Sequence, residues 1–314
     1  MRAIGVTTFG GPEALEVLDL PEPHAGPGEV RIRVHAAAVN PTDTNMRSGV
    51  YYEQSGDTRP GPWVPGADAA GTIDEVGAEV EGWQVGDEVM AVVVPMSDHG
   101  GAYADQVVVP AASVAARPEG IEAVAGSTLL MNALTARLLL DLLALPAGAT
   151  LAVTGAAGAF GGYAVQLAVA DGLVVVADAK DEDEELVRSF GATHVVRRGD
   201  DVAERIREVV PDGVDGLLDG SVQTEQLVPA IRDGGGMGTI RGWSGPAERG
   251  ITVHPVLVFD HAERSDLLHT LGEQVASGVL TPRVARVLPP EQAGEAHRML
   301  EAGGVRGRIV LDFS

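Results

Sequence analysis

Hydrophobic and polar positions change their rhythm twice along the 314 residues of this chain. From residue 1 to about residue 120, apolar and polar residues alternate in short runs such as Val30-Arg31-Ile32-Arg33-Val34, and Pro and Gly break the runs. A period of two punctuated by turn residues predicts half-buried strands, so this stretch reads as a mainly β domain. From about 122 to 255 the pattern becomes continuous apolar runs separated by helix-length segments. Residues 151–154, 173–177, 193–196, 214–219 and 237–240 read as buried parallel strands, with helices over 162–170 and 202–210. That alternation predicts a doubly wound α/β domain. After 255 come helices over 264–276 and 291–301 and a closing strand over 308–313, a segment able to return and complete the first domain.

The join between 151–154 and 162–170 carries the first chemistry. Gly155, Gly158 and Gly161 recur at intervals of three directly after the strand, with Ala157, Ala159 and Phe160 between them. Bare backbone at a strand-to-helix turn can approach a pyrophosphate, and the helix N-terminus then faces the anion. The spacing departs from the common G-x-G-x-x-G form, and glycines also cluster in ordinary packing turns. Context favours the dinucleotide: Asp171-Gly172 supplies a helix stop, and Asp178 closes the second strand about 20 residues on, where an acid binds ribose hydroxyls.

Composition narrows the class. Apolar residues make up 45% of the chain, enough for two full cores, and no window holds the roughly 18 uninterrupted apolar residues of a membrane helix. No basic-then-apolar leader opens the chain, so a cytoplasmic location is expected. The absence of cysteine excludes disulfides and thiolate metal sites. A formal charge of -23 argues against nucleic acid or an anionic membrane as partner. Of 22 basic residues, all but Lys180 are Arg.

Longer motifs then identify a family. Pro27-Gly28-Glu29-Val30, AAAVNPTD from Ala36, Arg47-Ser48-Gly49-Val50-Tyr51, VPGADAAGTIDEVG from Val64 and Val85-Gly86-Asp87-Glu88-Val89 stand in order. GGAYADQVVVP from Gly100, the leucine-rich stretch around Leu134-Thr135 and the GAAGAFGG turn follow. Together they resemble the medium-chain dehydrogenase/reductases, specifically the zinc-free quinone oxidoreductase (zeta-crystallin-like) branch. The resemblance implies an α/β protein with a GroES-like β domain from residues 1–121 with 256–314, and a Rossmann domain of doubly wound parallel sheet over 122–255. It further implies an active site in an interdomain cleft and a homodimer formed through Rossmann sheet edges. Zinc-dependent relatives carry Gly-His-Glu where this chain reads Gly66-Ala67-Asp68, and they need cysteines that it lacks. Its eight histidines show no pair at metal-ligand spacing, and His99 reads as a loop histidine. No metal site is expected, and without zinc the favoured chemistry is hydride delivery to a small-molecule quinone or an α,β-unsaturated carbonyl.

The resemblance also assigns residues. Asn40 matches the family's cleft asparagine and holds either the nicotinamide ribose side or a substrate carbonyl; otherwise it is a turn residue before Pro41. Tyr51 matches the cleft tyrosine, a donor to the developing enolate, while Tyr52 is expected to point elsewhere. Asn45 stands where relatives often place a second tyrosine, which leaves water as a proton source. Asp43 and Arg47 are expected to form a structural ion pair. Thr135 aligns with a nicotinamide carboxamide partner or packs its helix. Gly242, Trp243 and Phe259 follow the last strands, where relatives wall the nicotinamide, and the two aromatics fit interface core equally.

The cofactor form is contested within the sequence. Asp178 and the acidic run 181–185 favour NADH, although such a run also suits a solvated helix start. Lys180 and Arg198 lie just past successive strands, where relatives grip a 2'-phosphate, and a guanidinium suits bidentate phosphate binding. The expected cofactor is NADPH, with NADH possible. Two other functions stay open: a biosynthetic tailoring enoyl reductase on a bulky substrate, with 53–63 as a cleft loop, and a nucleotide-binding redox sensor with little turnover.

Overall fold

The alternation at residues 30–34 becomes part of a ten-residue strand in which Val30, Ile32 and Val34 are buried. In the computed structural model, which describes residues 1–56, 58–245 and 248–314, the chain divides into two units. Unit 1 comprises Met1–Met131, His261–Ala276 and Pro282–Ser314, and unit 2 comprises Asn132–Asp260 and Ser277–Thr281. The divisions fall later than the expected residues 121 and 255. The helix at Ala123–Gly126 packs on unit 1 strands, and Val256 N donates to Thr239 O, which extends unit 2 past its last strand.

Unit 1 begins with the antiparallel pair β1 (Arg2–Gly5) and β2 (Glu16–Asp19), followed by β3 (Glu29–Ala38). Next come α1 (Pro41–Ser48), α2 (Val50–Ser55), β4 (Asp68–Val76), β5 (Glu88–Val92), β6 (Gln106–Pro110), β7 (Val114–Ala116) and α3 (Ala123–Gly126). Period-two reading missed α1 and α2. Their signals were local: Pro41 occupies the first helical turn, where its missing N–H costs nothing, and Gly49 separates the helices in a left-handed conformation.

Unit 2 opens in α4 (Leu130–Leu143), then β8 (Thr150–Thr154), α5 (Ala159–Ala170), β9 (Val174–Ala179), α6 (Glu184–Ser189) and β10 (His194–Arg197). It continues through α7 (Val202–Val209), β11 (Val214–Asp219), β12 (Ile231–Thr239) and β13 (Thr252–Pro255). Its six strands are parallel in the order β10-β9-β8-β11-β12-β13, so the chain runs outward from β8 and then reverses to β11. Such a reversal is where open α/β sheets bind ligands, at the carboxyl ends of the strands. Leu217 and Leu218 on the central β11 are fully buried, each worth roughly 2 kcal/mol relative to exposure.

The chain returns to unit 1 through α8 (Ser265–Ala276), β14 (Val284–Leu288), α9 (Ala293–Ala302) and β15 (Arg308–Asp312). β15 pairs antiparallel with β3, Val310 opposite Ala38, so both chain ends share a seven-stranded sheet ordered β14-β15-β3-β4-β5-β7 with β6 on β3. Ile4, Ile32, Ile73, Tyr103, Ile309 and Leu311 anchor its core. The helical stretch 123–143 has the length and apolarity of a membrane span, and 78% of its most apolar window is buried inside the fold.

Candidate functional site

In unit 2, β8 ends at Thr154 and the glycine turn carries the chain into α5, which starts at Ala159, three residues earlier than the apolar pattern alone suggests. Gly155 has φ +66°, and a Cβ there would lie 2.7 Å from the Gly220 backbone. At Gly161 a Cβ would lie 2.3 Å from Gly155 O, so helix and turn touch through backbone alone. Ala157 and Phe160 are buried, while Gly158 and Ala159 are half-buried.

Two carboxylates flank β8, one bracing this turn and one the strand end before it. Asp178, on β9, is 2% exposed, and its Oδ1 accepts from Ala156 N at 3.0 Å while its Oδ2 is buried and unpartnered. Burial raises its pKa, opposed by the Ala156 N–H and the charge of Arg198. On the other side, Asp219 ends β11 and accepts from Thr154 Oγ1 at 3.2 Å, Ser221 N at 3.1 Å and Thr224 N at 2.9 Å. A glycine cradle that no Cβ fits, at the N-terminus of a helix, suits a dinucleotide.

Lys180 and Arg198 are both exposed just beyond the ends of the neighbouring strands β9 and β10, whose register sets Ala179 opposite Arg197. Lys180 lies 3.9 Å from Glu182, and Arg198 N donates to Ala179 O at 2.7 Å. The acidic run forms a 3-10 turn over Asp181–Asp183 and the start of α6. Thr135 is half-buried on α4. Gly242 is exposed; Trp243 is half-buried against the unit 2 core, its O accepting from Thr239 Oγ1 at 2.7 Å; Phe259 is half-buried in the 3-10 turn Val258–His261.

Unit 1 builds its polar centre from side chains. Asn40 caps α1 with no exposed surface; its Nδ2 donates to Asp68 Oδ2 at 2.8 Å, and its backbone N donates to Asp43 Oδ2 at 2.7 Å. Asp68 Oδ1 accepts from Met131 N at 2.9 Å. Asp43 also accepts from Gly66 N at 3.1 Å and Tyr103 Oη at 3.1 Å. Because Tyr103 donates to Asp43, His297 Nε2–H donates to Tyr103 Oη at 3.2 Å, which leaves Nδ1 to accept from Arg47 Nη1 at 3.2 Å.

This arrangement corrects the expected Asp43–Arg47 ion pair. Arg47 pairs with Glu301 at 2.7 Å, and it reaches Asp43 only through His297 and Tyr103. The physical reason is position: Asp43 sits in the first turn of α1, where backbone N–H groups claim it, whereas Arg47 lies in the last turn beside α9. Burial raises Asp43 to about 7 and Asp68 to about 6, outweighing their donors. Burial and the Arg47 charge lower His297 to about 3, so it stays neutral. Sequence reading assigned no role to His297 or Asp219; Asp68 and Tyr103 stood in family motifs, but only the fold joins Asp68 to Asn40 and Tyr103 to Asp43 and His297.

Tyr51 is half-buried on α2. Its neighbour Tyr52 does point elsewhere, stacking on Phe9 with ring centroids 5.2 Å apart while Phe9 contacts Trp63 at 4.1 Å. The expected loop 53–63 is helical up to Ser55, and Asp57 within it lies outside the described residues. Arg59 there pairs with Asp98 at 3.0 Å. A cavity of about 330 Å³ is lined by Tyr52, Pro60, Trp63, Pro95 and His99 among others, but not by Asn40 or Tyr51. His99 lies in a turn and approaches Glu29 at 3.1 Å. Among the described residues, no group of three or more His, Asp or Glu is placed to hold a metal ion.

Comparison with known proteins gives these sites a context. The chain matches the alcohol dehydrogenase GroES-like domain over residues 26–119 and the zinc-binding dehydrogenase family over residues 190–311. It is 30% identical to the quinone oxidoreductase of Sus scrofa, over 99% of this chain and 97% of that protein. It is 29% identical to the chloroplastic NADPH-dependent alkenal/one oxidoreductase of Arabidopsis thaliana, over 99% of this chain and 79% of that one. Its fold superposes on the crystal structure of an NAD-dependent alcohol dehydrogenase with a TM-score of 0.86 at 30% identity, across 100% of both chains. With a quinone oxidoreductase matched end to end, a GroES-like unit built from both chain termini and a Rossmann sheet between them, the chain belongs to the medium-chain dehydrogenase/reductase superfamily, in its quinone oxidoreductase branch.

Proposed function

We propose that this chain is a zinc-independent, NADPH-dependent reductase of quinones or of the C=C bond of α,β-unsaturated carbonyl compounds. The observation that carries the reading is the commitment of Asp68. Ala67-Asp68 stand where zinc-dependent relatives place a His-Glu pair, so the His has no counterpart; both Asp68 oxygens are engaged, by Asn40 and Met131, in a buried setting, and the chain has no cysteine. The polar centre of unit 1 therefore suits carbonyl polarisation better than alcohol deprotonation by a metal. The quinone and alkenal/one oxidoreductases among its relatives support the same substrates.

When bound, the reduced nicotinamide supplies a hydride. The chain's own residues do the rest. Tyr51 donates its phenol hydrogen to the carbonyl oxygen, where negative charge grows as the hydride arrives, and water returns a proton to the product. Asn40, held by Asp68 and Asp43, is a positioning residue at the head of α1. The Gly155–Gly161 turn takes the pyrophosphate, and Lys180 and Arg198 take the 2'-phosphate.

The test is reduced-cofactor consumption with a panel of quinones and enones, run beside Tyr51→Phe and beside titrations of NADPH and NADH. We expect turnover with at least one panel member, a fall in kcat of about tenfold to hundredfold in the variant, and tighter binding of NADPH than NADH. Intact cofactor binding with no turnover on any panel member would sink the reductase reading, and equal or better NADH binding would overturn the cofactor assignment.

A further inference from the structure

We infer that Asp178 is a positioning residue that clasps the Gly155–Ala156 backbone for the pyrophosphate, and that it does not read the ribose hydroxyls. The inference rests on the dinucleotide-binding reading above. An acid at the end of the second strand of such a unit ordinarily faces outward and accepts ribose hydroxyls, discriminating against a 2'-phosphate. Here the carboxylate is turned back into the fold.

Three observations carry this. First, Asp178 is 2% exposed, and its Oδ1 is already bound to Ala156 N at 3.0 Å, with the Gly155 N–H also directed at the group. Second, the unpartnered Oδ2 is itself buried, so a ribose hydroxyl would meet it only after the turn opened. Third, Asp219 holds the strand end that leads into the turn, on the far side of β8. It binds Thr154 Oγ1 and Ser221 N, and Ser221 Oγ donates to Thr154 Oγ1 at 2.9 Å. The turn is thus held from β9, and the strand end before it from β11.

A clasp and a ribose reader differ in what they change. Losing a clasp loosens the turn with or without cofactor and weakens NADPH and NADH alike, because both present the same pyrophosphate. Losing a ribose reader changes the ratio of the two affinities and leaves the empty turn as it was.

The experiment uses the full chain as parent, Asp178→Ala and Asp178→Asn. It measures hydrogen exchange of the 155–158 amides without cofactor, and dissociation constants for NADPH and NADH by fluorescence titration. We expect faster exchange in Asp178→Ala, with both dissociation constants raised together by about tenfold and their ratio held within about twofold. Asp178→Asn retains an acceptor for Ala156 N and should return exchange and both affinities to within about threefold of the parent. Unchanged exchange in Asp178→Ala, or a ratio shifted by about tenfold or more in either variant, overturns the clasp. A parent that binds neither dinucleotide would sink the reading beneath it, while the exchange measurement would still decide what Asp178 does to the turn.

Discussion

The polar centres of the two units are built by opposite means. In unit 2 the critical atoms are backbone: a glycine turn at the carboxyl end of β8, shaped by what a Cβ would strike and braced by Asp178, while Asp219 holds the strand end before it. In unit 1 they are side chains drawn from distant segments, with Asn40, Asp43, Asp68, Tyr103 and His297 all essentially without exposed surface. A backbone site tolerates few shapes but asks little of charge. A buried side-chain site depends on every donor finding its acceptor, because an unmatched polar group in the interior costs about 1–3 kcal/mol. The first should fail by steric substitution, the second by deletion of a single partner.

The largest effect should come from unit 1. Asp43→Ala strands Asn40 N, Gly66 N and Tyr103 Oη together, so urea denaturation should reveal a loss of about 3–5 kcal/mol. A loss below about 1 kcal/mol would mean that these donors find other acceptors. In unit 2, Gly161→Val places side-chain atoms where even a Cβ lies 2.3 Å from Gly155 O. We expect NADPH affinity to fall about hundredfold with a stability loss of roughly 1–3 kcal/mol; full binding in a stable variant would show that the turn can yield.

Titration probes unit 1 next. Burial holds folded Asp43 at about 7 and Asp68 at about 6 against an ordinary 3.8, so the folded chain carries extra protons. The stability they contribute is complete below about pH 4 and is lost as pH rises through 6 to 7. His297, lowered to about 3 from 6.5, works the other way: its contribution is present above 6.5 and lost as pH falls. Asp43→Asn removes one of the declining contributions. Between about pH 4 and 7 the variant should therefore gain on the parent by about 1 kcal/mol per pH unit in denaturation series, and parallel profiles would contradict the assignment. The smallest effect should be at the rim of unit 2. Lys180→Ala and Arg198→Ala should each weaken NADPH about tenfold in fluorescence titrations while leaving NADH within about twofold, as expected for exposed phosphate contacts.

How much of each unit the sequence revealed follows from the same contrast. The glycine turn, its flanking strands and Asp178 lie within one contiguous stretch, so local periodicity and spacing located them, and β11 came out at Val214–Asp219 as read. Most other strand ends shifted by a residue or two; β12 starts at Ile231, well before the expected 237, and glycines at 234–236 hide its first part from the apolar pattern. Unit 1 was legible as sheet, but α1 and α2, of eight and six residues, were masked by their short length. Its polar network joins residues up to 254 positions apart, and no local pattern connects Arg47 to His297 or Glu301. The expected Asp43–Arg47 pair failed for that reason: proximity along a helix suggested a partner that tertiary packing supplied from α9 instead.

The central claim is that a backbone cradle in one unit holds a dinucleotide whose hydride is delivered to a carbonyl-conjugated carbon under polarisation by Tyr51, without a metal. The most direct test supplies chelator-dialysed protein with NADPH deuterated at the reactive nicotinamide carbon and an α,β-unsaturated ketone, and reads the product by mass spectrometry and NMR. We expect one deuterium at the β-carbon of the saturated ketone, formed much more slowly by Tyr51→Phe at unchanged NADPH affinity. Activity that vanishes on chelation and returns with zinc, or bound NADPH that passes no label to any enone or quinone, would contradict it.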